Sequence, residues 1–341
     1  MSEKSLERFE SLKSELEEVA ANRIQDGHAE KVLDQTPKQI EKLFPGATRA
    51  DGWAENIEVI FVALVIALAL RTYFVQPFKI PTGSMMPTLW GISQESHTGP
   101  TPNIFYQVLD YAAFGKTYHR FVAPSDGTVE AVNPWRPVPL LTFTTLRFND
   151  KDYHLFTEPE NVLKGAPEIR EGRKFKAGED VANFSVEAGD HIFVNKMAYN
   201  FRLPKQGEVF VFTTKDIAGL ERQTAGVTEY YIKRCVGVPG VTLKIEEPYL
   251  LSNGKILHSK AFDRNYAKQG GYNGYVHAER ANYLVVPDDE ISIPENSYWA
   301  MGDNSRNSLD SRYWKYVPRE NLVGTALMVY WPFSKRWGWI E

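Results

Sequence analysis

Cysteine is almost absent from this 341-residue chain: Cys235 stands alone, so no intrachain disulfide can form and small disulfide-stapled scaffolds are excluded. The lone thiol leaves the redox compartment open. Positive charge is not in excess either. The 39 Lys and Arg face 43 Asp and Glu, a net charge of −4, which offers no basic surface to nucleic acid. A hydrophobic content of 43% and a mean hydropathy of −0.37 exclude a polytopic transporter. The seven histidines (His28, His97, His119, His154, His191, His258 and His277) are dispersed, with no H-E-x-x-H and no Cys pair beside them, so neither a metal site nor a cofactor is expected. The G-x-S-x-G elbow, the P-loop and G-x-G-x-x-G are all missing. One S-x-x-K match, Ser252 to Lys255, contains Asn253-Gly254 and reads as a hairpin turn.

What is present divides the chain into three parts. Residues 1–53 are charge-rich, with Leu6, Phe9, Leu12, Leu16 and Val19 at helical spacing, and read as a helical arm without a cleavable signal. From Val59 to Leu70 the chain runs VIFVALVIALAL without interruption. The window Ile57 to Val75 would span about 28 Å as a helix, close to the thickness of a bilayer core. Trp53, Tyr73, Phe74 and Phe78 flank it as interfacial aromatics would, and Glu58 and Arg71 can snorkel, so residues 54–77 are expected to form one transmembrane helix. The charge rule leaves its orientation open, since Lys38, Lys42 and Arg49 lie on one side and Arg71 and Lys79 on the other, with Asp51 and Glu55 adding little.

Residues 78–341 change to period-two or mostly apolar runs bounded by Gly, Pro, Asn and Asp. RFVAP and TVEAV about Asp126-Gly127, LTFTTLRF and DYHLF about Asn149-Asp150, HIFVNKMAY, EVFVFTT, EYYIKRCVGV, VTLKI, YLVV and TALMVYW predict a mainly β body. Within it, residues 92–185 read as an insert and 241–297 as a hairpin-rich subdomain. The insert turn at Pro124 to Gly127 weakly resembles those of biotinyl and lipoyl carriers, but it lacks the acceptor lysine and reads as a plain hairpin.

A serine and a lysine remain as candidates for chemistry. The segment Ile80-Pro81-Thr82-Gly83-Ser84-Met85-Met86-Pro87-Thr88-Leu89 follows the apolar run directly, and its prolines hold it extended. Taken alone it could be a polar turn at the end of the helix. In Tyr230-Tyr231-Ile232-Lys233-Arg234-Cys235-Val236-Gly237-Val238-Pro239-Gly240, strand alternation sends Lys233 and Arg234 to opposite faces. Arginine stays protonated, so Lys233 is the one amine of the two that can act as a base. Lowering its pKa by about three would take about 4 kcal/mol of desolvation, which apolar neighbours such as Met86 and Tyr231 could supply. Cys235 reads as a small packed side chain, and Lys196 and Arg234 as structural or solvated.

These two segments, with Gly189-Asp190 before Val194-Asn195-Lys196 and Tyr199, and with Gly302-Asp303-Asn304-Ser305 running on to Ser308, Asp310, Ser311 and Arg312, closely resemble the conserved boxes of the bacterial type I signal peptidases. The resemblance covers roughly residues 54–91 and 186–341. It implies coiled antiparallel β sheets on a single N-terminal transmembrane helix, the arm in the cytoplasm and the body on the outer side of the inner membrane. It also implies a serine endopeptidase that removes signal peptides from exported preproteins after small residues. By resemblance Ser84 is the nucleophile and Lys233 the general base. Thr82 assists the Ser84 amide at the oxyanion, Ser308 orients the lysine, and Asp310 with Arg312 supports the site. Val241 departs from the family, which usually carries an acid after this Pro-Gly. The preprotein and the bilayer are the partners so implied. A self-cleaving Ser/Lys regulator and a non-enzymatic anchored module that binds an envelope partner are the alternatives.

Overall fold

The polar arm and the apolar run after it carry helical patterning, and most of the chain beyond Pro77 carries strand patterning. In a computed structural model, described for residues 3–20, 26–43, 52–138, 141–170, 172–220 and 228–341, the chain forms two compact units, residues 1–70 and 71–341. Arg49, Asp51 and the side chains of Trp53 and Glu55 lie outside the described residues.

In the first unit, helix α1 (Glu3–Ala20) packs against α2 (Asp26–Leu43), and Leu12, from the apolar stripe, is buried. Helix α3 (Gly52–Ala69) carries the apolar run. The π-helical turn Leu70–Phe74 carries it on to Phe74, and the 19 residues Asn56–Phe74 within it have a mean hydropathy of 2.1, none of them buried. The helix ends three residues before the expected boundary. Val75 to Pro77 belong instead to a strand, since Val75, Gln76 and Pro77 take up register with Asn195, Val194 and Phe193.

The second unit is mainly β, and every pairing among its described strands is antiparallel. Its principal sheet uses β1 (Val75–Lys79), β2 (His191–Asn195), β3 (Val209–Thr213), β4 (Tyr230–Gly237), β5 (Ser297–Met301), β6 (Val317–Pro318), β7 (Leu322–Trp331) and β8 (Gly338–Trp339), in the order β1-β2-β7-β3-β4-β5-β6 with β8 on β7. Strands β3 and β4 are buried on both faces over most of their length, which explains their nearly continuous apolar sequence. One face packs Ile80, Met85 and Leu89 against Ile192, Val194, Val209 and Val211, so the serine segment is seated in a core. The other packs Phe210, Phe212 and Cys235 against Tyr298, Ala300 and Trp314.

Residues 92–185 hold sheets of their own. One orders Ser93–Ser96, Asp180–Glu187 and Lys116–Val122; another orders Lys151–Leu155, Leu141–Phe148, Gly127–Val138 and Lys174–Phe175. They share a core of Leu146, Phe148, Val162, Phe175 and Phe184. Asn149 and Asp150 turn a hairpin at φ 46° and 58°, as their sequence requires. The hairpin expected at Asp126-Gly127 does not form. Strand Lys116–Val122 pairs with Asp180–Glu187, and Gly127–Val138 with Leu141–Phe148, because each apolar face finds a longer partner than its neighbour in sequence. Nor is YLVV a strand: Leu284 is buried at φ 54°, and the Val285 and Val286 amides donate to Asp289. HIFVNKMAY is strand only to Asn195, whose side chain accepts from the amides of Met197 and Ala198 and opens the short helix Ala198–Phe201. A four-stranded sheet between Thr242 and Ser292 packs Leu243, Ile245 and Leu250 against Phe262, Tyr275 and Trp299.

Candidate active site

Two loops are pinned together before any chemistry is considered. Ser84 lies in a single 3-10 turn, Gly83–Met85. At the start of its segment the Ile80 amide donates to Asp190 O at 2.9 Å, and just past its end the Trp90 amide donates to the buried Asp190 carboxylate at 2.7 Å. Arg336 completes that carboxylate at 2.9 and 3.0 Å. Gly189 is required here, because a Cβ would sit 1.7 Å from Ile80 O. On the other side the Asn304 amide donates to Ser84 O at 3.0 Å, and Asn304 Nδ2 to Gly83 O at 3.2 Å. The turn is therefore held from both sides by two of the segments singled out in the sequence.

Strand β4 delivers the lysine. Lys233 pairs with Phe210, and its Nζ donates to Ser84 Oγ at 2.8 Å. Both side chains are buried, and they line a cleft of about 580 Å³ with Thr82, Tyr231, Ile232 and Ser308. Burial pushes the Lys233 ammonium down to about 8, against the Asp310 and Asp303 carboxylates, which favour the charged form, and with a smaller push from Arg312. Roughly a tenth of the lysine is then neutral at pH 7. Thr82 Oγ1 lies 3.4 Å from Ser84 Oγ. Ser308 Oγ is buried without a hydrogen-bond partner among the described residues, a hydroxyl left available to the cleft it lines. Gly302 makes room for it, since a Cβ there would stand 2.2 Å from Ser308 Oγ and 2.5 Å from Ser84 O.

Asp310 and Arg312 lie behind the cleft, both fully buried. Arg312 Nε and Nη2 reach the carboxylate at 2.8 and 2.9 Å, and its other donors hold Val276 O at 2.7 Å and Ser305 O at 2.5 Å. Asp310 Oδ2 accepts from the Gly302 amide at 3.2 Å, which ties this pair to the loop over Ser84.

A second buried network was not read from the sequence as part of the site. Arg234, on the face opposite Lys233, gives Nε to Asp303 Oδ1 at 2.7 Å and Nη2 to Oδ2 at 2.5 Å. Thr88 donates to the same carboxylate, as does Tyr275 Oη at 2.9 Å. Burial alone would raise Asp303, but the Arg234 charge and these hydrogen bonds outweigh it and hold the carboxyl below its usual range. The signal was available: an arginine on a strand buried on both faces requires a carboxylate, and Asp303 stands in a segment already singled out. Lys196 donates to Thr72 O at 2.8 Å, and burial raises the Cys235 thiol and leaves it inert. Among the described residues, no three His, Cys, Asp or Glu side chains are grouped to hold a metal ion.

Fold and site together define an antiparallel β protein with a serine and a lysine in hydrogen-bond contact at the floor of an open cleft. The chain belongs to the family described as signal peptidase, peptidase S26, whose model matches residues 53–94 and 175–331 and passes over most of the added module. Signal peptidase I of Leptolyngbya laminosa is 30% identical over 155 residues, 44% of this chain and 64% of that protein. Signal peptidase I of Pseudomonas aeruginosa is 33% identical over 186 residues, 44% of this chain and 62% of its own length. Signal peptidase I S of Bacillus subtilis is 28% identical over 149 residues, 43% of this chain and 70% of that protein. The chain thus spans somewhat less than two thirds of the first two relatives.

Proposed function

We propose that this chain is a membrane-anchored serine endopeptidase that removes N-terminal signal peptides from exported preproteins, cutting after small residues. The observation that carries this reading is the 2.8 Å contact between Lys233 Nζ and Ser84 Oγ, made where burial brings the amine to about 8.

Neutral Lys233 takes the Ser84 proton, and Oγ attacks the scissile carbonyl. The Ser84 amide and the Thr82 hydroxyl stabilise the oxyanion. The lysine then protonates the leaving amine, and the acyl group stays on Oγ. A water, deprotonated by the same amine, releases the acyl group and regenerates the serine. Ser308 orients Nζ, while Asp310 with Arg312, and Arg234 with Asp303, hold the loops in place. No metal or cofactor is required.

Residues 56–74 anchor the chain in the bacterial inner membrane as a single span, with arm 1–53 in the cytoplasm and the body outside. The body continues from the anchor without a linker, since β1 begins at Val75, next to Phe74. An extended substrate adds beside Phe78 to Thr82, so backbone pairing supplies affinity and the cleft admits small side chains. The test is incubation of the purified full chain with a preprotein, followed by N-terminal sequencing of the product. The expected outcome is one cut after a small residue at the end of the signal peptide. A chain that binds the preprotein but leaves it whole, or cuts it elsewhere, overturns the reading.

A further inference from the structure

Helix α4 (Ile104–Phe114, IFYQVLDYAAF) lies in the added module, outside the residues the family matches, and its polarity is reversed relative to a helix facing water. Its two polar non-aromatic side chains, Gln107 and Asp110, stand three apart and share a face. Both are satisfied within the protein: Gln107 Nε2 donates to Pro102 O at 2.7 Å, and Asp110 accepts from Tyr118 Oη at 2.7 Å. The remaining faces are apolar or aromatic. Ile104, Phe105, Val108, Leu109, Tyr111 and Phe114 are 47–74% exposed, and no residue of the helix is buried.

The helix is fastened so that this surface stays outward. Asn103 caps its start by accepting from the Tyr106 amide, and Gly115, at φ 65°, closes its end. Trp331 Nε1 donates to Ala112 O at 2.9 Å, and the Phe333 amide to Ala113 O at 2.8 Å, which ties the last turn to the end of β7.

We propose that α4 lies in the interfacial layer of the bilayer that anchors the chain, its apolar faces at the boundary between headgroups and acyl chains. This rests on the anchoring given under the proposed function. A protein partner would meet a polar rim, but the outward surface of α4 carries no charge and offers no hydrogen-bonding side chain except the hydroxyls of Tyr106 and Tyr111. Tyrosine on an apolar surface is suited to headgroup depth, its ring in the apolar layer and its hydroxyl in water. Binding at an interface scales with the apolar area buried in it, and the exposed apolar side chains of α4 supply that area.

The test uses the full chain in vesicles of phosphatidylcholine and phosphatidylglycerol. Cys235 is buried, so one introduced thiol takes a spin label selectively. Labels are placed at Val108→Cys and, for comparison, at Glu295→Cys on an exposed turn, and collision with oxygen and with a water-soluble nickel chelate is measured. The ratio of oxygen to nickel accessibility is expected to be at least about threefold higher at 108 than at 295. Equal, water-like ratios in a chain that resists carbonate extraction overturn the inference and leave the anchor intact. Release of the chain by carbonate overturns both. A label at 108 shielded from both reagents, or broadened by a second label, assigns the helix to a protein partner and likewise overturns the proposal.

Discussion

Ser84→Ala is expected to lower kcat/KM on a preprotein by at least about 10⁴-fold, because the remaining cleft can bind and polarise the carbonyl but has no atom to attack it. The fold should be unaffected. Among the described residues the Ser84 hydroxyl is within hydrogen-bond distance of Lys233 and Thr82, both in the cleft, whereas the backbone of its turn is held by Asn304 and, through its flanks, by Asp190. Product followed by mass spectrometry, beside a melting curve within a few degrees of the parent, checks both halves. Cleavage at more than a hundredth of the parent rate would move the nucleophile elsewhere.

Asp303→Ala should act in the opposite way, on stability first. It leaves the fully buried Arg234 guanidinium without its carboxylate and removes the acceptor for Thr88 and Tyr275. An uncompensated buried charge costs about 3–5 kcal/mol, on the order of 10 °C in Tm for a body of this size. Activity would fall with it, since Asp303 precedes the Asn304 that holds the Ser84 carbonyl. Asp303→Asn keeps most of the hydrogen bonds and should lose less. A melting temperature for Asp303→Ala within 2–3 °C of the parent, about 1 kcal/mol, would show that the network is not a support for the site.

Much of this was legible in the residues because the chemistry demands unusual ones. Apolar side chains from Val59 to Leu70 cannot belong to the polar arm before them, and the short, mostly apolar runs TALMVYW and EVFVFTT, rich in β-branched and aromatic residues and set between turn residues, read as strands. Asn149-Asp150 and Asn253-Gly254 forecast their own turns, because few residues tolerate positive φ. What escaped was set by distant partners. Asp126-Gly127 has the right turn chemistry, yet the strands beside it pair elsewhere, since pairing follows the larger buried face. YLVV has strand composition, but Leu284 is drawn into the core beside Tyr275 and Trp299.

The site divides in the same way. The segments carrying Ser84, Lys233, Ser308, Asp310 and Arg312 are recognisable by order and resemblance, while Thr88 and Tyr275 are ordinary residues whose role appears only once Asp303 is between them. Gly302 is intermediate. It stands in a singled-out segment, but its reason, the space it leaves for Ser308 Oγ and the Ser84 carbonyl, is three-dimensional.

The central claim is that Lys233, held near 8 by burial, is the base for Ser84. The base is active when neutral, so kcat/KM must rise with pH, tenfold per unit well below 8, and level off above it. The most direct measurement is therefore the dependence of kcat/KM on pH from 6 to 10, on a preprotein, for the parent chain and for Lys233→Arg. The parent is expected to show a single ascending limb centred near 8, and Lys233→Arg no measurable cleavage across the range, since arginine stays protonated throughout. A limb centred near 6.5, as an ordinary histidine would give, or retained cleavage by Lys233→Arg, would contradict it.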